Sequence, residues 1–318
     1  MKKLVMTSSS IGTLQHCAKA YKLKHVDLIE SAHKPQYLTI GSAFHAALEL
    51  FRSGAKTVAE LRSALMPYAD RLDSNGLCVL TAMVEAYWKK YARNRETFDK
   101  VEMEWGSYES IYQENDAYIS GVVDALDAGG RIWETKTVSR IDGSYLEALW
   151  SARQTLMYAA YLMRAGVEVT GVVYDIVQKP TIGRLLATPV EKRRYVKDKE
   201  TGEMRLHAKQ READEPDAVF LNRLRKWYDD HPEALHREEI FYTQAQLDLV
   251  RHDVRAEAKR LMWHTGTGEW PRSLNACYRG NGKCEFAALC GSGESSLILD
   301  AHYKKKEKQH PELGGLVQ

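Results

Sequence analysis

Two carboxylates and a lysine fall where a β-hairpin would bring them together. The segments Tyr118–Asp127 and Arg131–Val138 are rich in Val, Ile, Tyr, Trp and Thr, and Ala128-Gly129-Gly130 between them has turn chemistry. A turn centred on Gly129 sets Asp124 directly opposite Glu134. Strand alternation then puts Lys136 on the face of Glu134, about 6.5 Å further along. Cross-strand partners have Cβ atoms roughly 4.5–5.5 Å apart, where like charges repel. Such a pair is poor as structure and good as a site for a hard divalent cation, Mg²⁺ or Mn²⁺, which prefers carboxylate oxygen and cancels the repulsion. The alternative is a solvated strand face with incidental charges.

Neighbouring elements must hold this hairpin. Leu38–Arg52 reads as a helix with Phe44, Leu48 and Phe51 as its core stripe, and His45 and Glu49 share a face one turn apart. Val58–Arg71 and Leu77–Arg95 read as two further helices, broken at Asp73-Ser74-Asn75-Gly76. Val101–Tyr112 has strand character, with Glu102 and Glu104 spaced to face one side. After the hairpin, Asp142-Gly143-Ser144 caps a long helix, Tyr145–Arg164, on which Gln154 and Tyr158 point the same way. Gly166 ends it, and Thr170–Val177 is a β-branched strand. The order helix, strand, strand, strand, helix, strand predicts an α/β (α+β) fold, a mixed central sheet flanked by helices with a helical insert at 58–95.

The flanking segments carry less chemistry. Thr7-Ser8-Ser9-Ser10 caps a short helix with a serine as N-cap; Cys17 lies on it beside His16. The region 188–217 is a charged projecting arm with a turn at Lys199-Glu200-Thr201-Gly202, Val219–Tyr228 and Tyr242–Met262 look helical, and Lys304 onward reads as a disordered tail. Over 318 residues, 44% are apolar and 28% charged, as in an ordinary globular protein, and a net charge of +2 names no partner. Local basic clusters do more: Lys192-Arg193-Arg194, Arg223-Leu224-Arg225-Lys226 and Lys304-Lys305-Lys306 are either solvated faces or contacts for a polyanion. No apolar run reaches transmembrane length and the first six residues break too early for a signal peptide, so no membrane is expected and a cytoplasmic location is. There, clustered cysteines suggest metal. Three of the five crowd into Cys277–Cys290, one short of a four-thiolate site, and only Cys17 and Cys78 remain to complete it.

Five of these pieces, in this order, resemble motifs of the PD-(D/E)XK nucleases, in particular the RecB-like exonuclease branch with an iron–sulfur cluster, which includes the AddB nuclease domain. Gly41-Ser42-Ala43-Phe44-His45 is similar to the histidine motif, Gly121-Val122-Val123-Asp124 to the aspartate motif, Glu134-Thr135-Lys136 to E-x-K, and Gln154-Thr155-Leu156-Met157-Tyr158 to Q-x-x-x-Y. Cys17 with Cys277, Cys284 and Cys290 resembles the four-cysteine set that binds a [4Fe–4S] cluster. The resemblance departs where the family often has C-x2-C, since six residues separate Cys277 from Cys284; four thiolates also suit Zn²⁺.

The resemblance implies a restriction-endonuclease-like core and adds His45 and the Thr135 carbonyl to Asp124 and Glu134 as metal ligands. Lys136 would orient or deprotonate water or stabilise developing charge, and Gln154 and Tyr158 would support the site or touch the DNA strand. It implies one nuclease domain over 1–318: an N-terminal segment 1–37, the core 38–178, the arm 188–217, a helical and cysteine region 218–292, and a tail 300–318. The expected activity is a Mg²⁺- or Mn²⁺-dependent DNA exonuclease working at ends or single strands in recombination, repair or phage replication. A recombination or helicase protein would be a fitting partner, since no G-x-x-x-x-G-K-[ST] loop is present. The competing expectation is a non-catalytic iron–sulfur or zinc DNA-binding subunit.

Overall fold

The computed structural model of the chain describes residues 4–33, 35–113, 116–197, 199–279 and 282–307. The chain opens with β1 (Leu4–Met6) and α1 (Ser8–His16), whose N-cap is Thr7 rather than a serine; Thr7 and Ser10 bond reciprocally in a capping box. Then come α2 (Ala18–Tyr21), β2 (Ile29–Ser31) and α3 (Gln36–Arg52). The insert is α4 (Val58–Ser63), a 3₁₀ turn at Met66–Arg71 and α5 (Ser74–Tyr91), so the expected helix 58–71 is two pieces. The expected break at 73–76 is instead the start of α5, because Asp73 accepts from Gly76 N as its N-cap.

The hairpin region follows: β3 (Phe98–Glu109), β4 (Ala117–Asp127) and β5 (Arg131–Val138). Asp142 caps α6 (Gly143–Ala148), and a 3₁₀ turn at Leu149–Ser151 separates it from α7 (Arg153–Arg164), so the expected long helix is also two. β6 (Gly171–Gln178) completes the core order. The charged arm contains the small hairpin β7 (Tyr195–Lys197) and β8 (Met204–Leu206). After it lie α8 (Asp217–Asp230), β9 (Leu235–Ile240) and α9 (Gln244–Thr267). The last elements are β10 (Tyr278–Arg279), β11 (Gly282–Lys283), α10 (Ala287–Gly291), α11 (Ser296–His302) and β12 (Tyr303–Lys305). Lys304 and Lys305 are thus not tail: β12 pairs antiparallel with β2. Residues 308–318 of the expected tail lie outside the described residues.

The sheet is mixed. β3 pairs with β4 along its length, β5 runs parallel to β6, and β9 adds an antiparallel edge that the charged sequence Leu235–Ile240 had concealed. Since β3 fills one edge of β4, β1 and β5 share the other: β1 pairs as far as Ile119, and β5 begins at Ala125. Between them the strands part, and residues 120–124 of β4 border a fork.

Helices cover both faces, as buried strands on each side require. On one, α1, α7 and α9 bury Ile119, Val123, Ile132 and Tyr174; on the other, α3, α5 and α8 pack over Val177, with Ala125, Trp133 and Val173 beneath. Val123 and Ala125 are two residues apart yet pack on opposite faces, so the alternation of β4 breaks at Asp124. Glu102, which the register sets opposite Asp124, has a left-handed backbone (φ 46°). Such irregularities re-aim side chains and favour active sites.

Candidate active site

The hairpin turn is built on Asp127. Its Oδ1 accepts the backbone N–H of Gly129 and of Arg131, both at 2.9 Å, and its Oδ2 accepts Arg131 Nε (2.7 Å) and Trp133 Nε1 (2.9 Å). Gly130 sits at φ 75°, where a side chain would be strained and would also press on the Glu168 carbonyl. This fixes the register Ala125↔Trp133 and Leu126↔Ile132, immediately on the turn side of Asp124 and Glu134.

Past Ala125 the strands no longer pair, and the Asp124 side chain bridges the gap. Its Oδ2 accepts Thr135 N–H at 2.8 Å, lies 3.4 Å from His45 Nδ1 on α3, and lies 3.8 Å from Arg52 Nη1. Burial pushes this carboxyl up, but the bond and charge of His45, the Arg52 charge and the Thr135 N–H outweigh it and hold the group down at about 2. Burial alone would lower His45; the bond to Asp124 and the fields of Asp124 and Glu134 raise it instead.

Glu134 is 2% exposed. Its Oε1 accepts Lys136 Nζ at 2.6 Å, while its Oε2 is buried with no hydrogen-bond partner among the described residues. Burial first, then the Asp124 charge, push its carboxyl up to about 7 against the pull of Lys136. Lys136 Nζ also donates to Gln154 Oε1 (3.0 Å), and Gln154 Nε2 donates to the Tyr158 hydroxyl (3.2 Å), so the first turns of α7 hold the lysine. Gly121 makes room for Tyr158: a Cβ there would lie 2.7 Å from its ring. A cavity of about 730 Å³ opens at the fork, lined by Thr7, Ser8, Ser9, Gly121, Arg153, Gln154 and Tyr158.

His45, Asp124, Glu134, Thr135, Lys136, Gln154 and Tyr158 therefore come together. Arg52, which no sequence motif marks, and Glu102 also border this site. Glu102 faces the same site: desolvation, then the charges of Asp124 and Glu49, push its carboxyl up to about 7. Glu104 pairs opposite Val122 in the same ladder.

Whether the site suits a cation is answered by Glu134 Oε2. A buried carboxylate oxygen without a donor, next to a second carboxylate, is costly unless a positive charge completes it. Among the described residues no three His, Cys, Asp or Glu side chains are already gathered as a finished ligand set. The oxygens fit a cation; they do not by themselves enclose one.

The five cysteines fall in two places. Cys17, Cys277, Cys284 and Cys290 line one cavity of about 350 Å³ with Ala20, Ala276 and Phe286, and Cys17 Sγ accepts Ser273 N–H at 3.4 Å. Burial pushes the Cys284 and Cys290 thiols up. Cys78 packs instead in the core of α3, α5 and α8. All five thiols are free, and none belongs to a formed metal-ligand group among the described residues.

The basic clusters are partly spent on the fold. Arg223 pairs with Glu215 (2.6 Å), Arg225 with Glu85 (2.6 Å) and Lys226 with Asp230 (2.9 Å), while Arg193 is bound to the carbonyls of Thr188 and Glu212. Lys192 and Arg194 remain exposed. No helix among the described residues is long and apolar enough to cross a membrane.

The family model of the PD-(D/E)XK nuclease superfamily matches residues 5–291, nearly the whole chain. The chain belongs to the PD-(D/E)XK nuclease superfamily. Members of this superfamily generally use divalent metals such as Mg²⁺, and its nucleases act on DNA. The mixed sheet between helices is the fold expected of a PD-(D/E)XK nuclease. No curated protein matches the chain. Among solved structures, it is similar to a "putative exonuclease" from Eubacterium rectale, with a TM-score of 0.53 at 11% identity over 98% of this chain and 94% of the other, a likeness of fold. A structure of SSO0001 aligns at a TM-score of 0.21 with 13% identity, over 62% of this chain and 76% of the other, too slight to bear on the argument.

Proposed function

We propose that this PD-(D/E)XK nuclease is a Mg²⁺- or Mn²⁺-dependent DNA exonuclease acting at ends or single strands in recombination, repair or phage replication, with Asp124, Glu134, Lys136, Gln154 and Tyr158 as its working residues. The observation that carries this is Lys136 Nζ, held by Glu134 at 2.6 Å and Gln154 at 3.0 Å beside a buried carboxylate oxygen that lacks a donor. Asp124 and Glu134, with His45 and the Thr135 carbonyl, would hold the cation. When bound, it would polarise the phosphoryl group and acidify a water. Lys136 would orient that water or stabilise charge building on the phosphoryl oxygens. Gln154 keeps its ammonium in place, and Tyr158 keeps Gln154 in place. The DNA strand would run through the cavity at the fork, where N-terminal turns of α1 and α7 would offer donors to phosphate. The nuclease family and a neighbour described as a "putative exonuclease" support this reading.

The same proposal gives the four cysteines of the second cavity to a [4Fe–4S] cluster, with Zn²⁺ as the lesser alternative. All four cysteines line one cavity, so a bound cluster would tie Cys17 to residues 277–290, which suits a structural role rather than a redox one. A recombination or helicase partner fits a nuclease without a motor.

Incubating end-labelled single- and double-stranded DNA with the protein and Mg²⁺, Mn²⁺ or EDTA tests the activity. Release of mononucleotides or short products from ends, absent in EDTA, is expected. Metal-independent cleavage, or none on either substrate, refutes it.

A further inference from the structure

Behind the hairpin lies a second charged network with no part in the chemistry proposed above. Arg52 ends α3 with its side chain 2% exposed. Its Nη2 donates to Thr135 Oγ1 at 2.7 Å and to Asp175 Oδ2 at 3.4 Å, and its Nη1 lies 3.8 Å from Asp124 Oδ2. Asp175 is fully buried on β6, directly beside Thr135 in the parallel ladder. It is held in turn by the Tyr87 hydroxyl from α5 and by Arg237 Nε from β9 at 3.5 Å; Arg237 Nη1 pairs with Glu96 at 2.6 Å.

Burying an arginine and an aspartate is costly unless each is paired and hydrogen-bonded, and packed apolar residues would often serve stability as well. The placement of this pair therefore calls for a reason, and Thr135 supplies one. It lies between Glu134 and Lys136, and strand side chains alternate. With the Thr135 hydroxyl tied to one face, Glu134 and Lys136 must point to the other, toward Gln154. Its backbone N–H and the Arg52 guanidinium also converge on the same oxygen of Asp124.

We infer that Arg52 is a positioning residue that locks the pleat of the E-x-K strand and the Asp124 carboxylate together, and so sets the affinity of the site for its cation. Asp175, steadied by Tyr87 and Arg237, holds the guanidinium from behind. The forked, planar head lets Nη2 hold Thr135 and Asp175 while a second nitrogen, Nη1, reaches toward Asp124. The helical insert thereby enters the site through Tyr87. This inference rests on the cation-dependent nuclease reading and states what tunes it.

The test separates cation binding from cleavage. Mn²⁺ binding is measured by calorimetry, and the Mg²⁺ concentration for half-maximal cleavage by titration, in wild type, Arg52→Met, Arg52→Lys and Thr135→Val. Removing a group that orients metal ligands lowers affinity by about 10–100-fold. Arg52→Met and Thr135→Val should both show that loss, with a matching rise in the Mg²⁺ requirement; Arg52→Lys should recover melting temperature without recovering affinity. Thr135→Val leaves the Arg52–Asp175 pair intact, so it decides the matter if Arg52→Met fails to fold. Wild-type affinity in folded Thr135→Val, or full recovery of affinity by Arg52→Lys, overturns the inference. A wild-type protein that neither binds Mn²⁺ nor cleaves DNA overturns the functional reading beneath it instead.

Discussion

The backbone N–H of Thr135 donates to Oδ2 of Asp124 at 2.8 Å, across a gap where the two hairpin strands have ceased to pair. A carboxylate here takes the place of a ladder carbonyl. The strands can therefore part, opening a fork at the sheet, without leaving that buried N–H unsatisfied.

Glu134 should make the protein's stability depend on pH. Its folded carboxyl titrates at about 7, against an ordinary 4.5, because of burial and the charge of Asp124. The folded state thus keeps a proton that the unfolded chain has lost, and the cation-free protein should lose stability as pH rises from about 4.5 to about 7. Mg²⁺ needs the deprotonated group, so the stabilisation it confers should grow over the same range. Melting temperatures in EDTA and in Mg²⁺ across that interval check both trends, and Glu134→Gln should lessen the slope of the EDTA curve, Glu102, also pushed up to about 7, supplying the remainder. Parallel curves in EDTA and Mg²⁺ would rule the idea out.

Removing the lysine should separate binding from chemistry. Lys136→Ala should lower cleavage about 10²–10⁴-fold, the usual worth of a positioned proton-transfer group. Mn²⁺ affinity should hold or rise, because Glu134 Oε1 loses its competing ammonium. Calorimetry beside single-turnover cleavage reads the split; equal losses in both would assign Lys136 to ligand placement.

Gly121 should not tolerate a methyl group. An alanine Cβ would lie 2.7 Å from the Tyr158 ring and 3.2 Å from Trp105, both buried. Overpacking of this kind costs about 1–3 kcal/mol. Displacing Tyr158 also frees Gln154, so cleavage should fall as well as melting temperature. Gly183→Ala, with nothing within 4 Å of the new Cβ, is the matched control and should change neither.

The two lone cysteines should behave oppositely. Cys17→Ala should reduce bound iron or zinc and lower the melting temperature, since Cys17 shares the cavity of Cys277, Cys284 and Cys290. Cys78→Ala should leave metal content unchanged, since Cys78 packs among α3, α5 and α8. Elemental analysis of anaerobically purified protein distinguishes them. Brown colour with about four irons per chain favours the cluster, one zinc favours the alternative, and equal metal content in both variants removes Cys17 from the set.

The parts of this site that sequence could reveal are those fixed by local chemistry. Ala128-Gly129-Gly130 specifies a turn wherever it occurs between β-branched runs, and with it the facing of Asp124 and Glu134. Asp142 announces a helix start, and Gln154 and Tyr158 one helical face. Arg52 was hidden because a charged residue at a helix end ordinarily reaches solvent. Its burial makes sense only beside Asp175, a residue distant in sequence and adjacent in the sheet. The left-handed backbone of Glu102 was hidden as well, because no residue type signals a left-handed glutamate. The strand Leu235–Ile240 carries His-Arg-Glu-Glu in an unbroken row at a sheet edge, with no period of two to betray it, and Lys304–Lys305 form a strand only because β2 is there to receive them.

That pairing of β2 with β12 has a consequence for how the protein comes into being. Ile29–Ser31 leave the ribosome early and meet Tyr303–Lys305 only after nearly every other described element has been made. Chains emerge at about 5–20 residues per second, so Cys17, Leu23 and Ile29 wait many seconds before Phe286, Leu289 and Tyr303 can cover them. The hairpin of β4 and β5 and the helices around it are already synthesised during that wait. The nascent chain thus has the residues proposed for cleavage before it has its clasp, and closing so long a loop carries an entropic cost that local pairings do not.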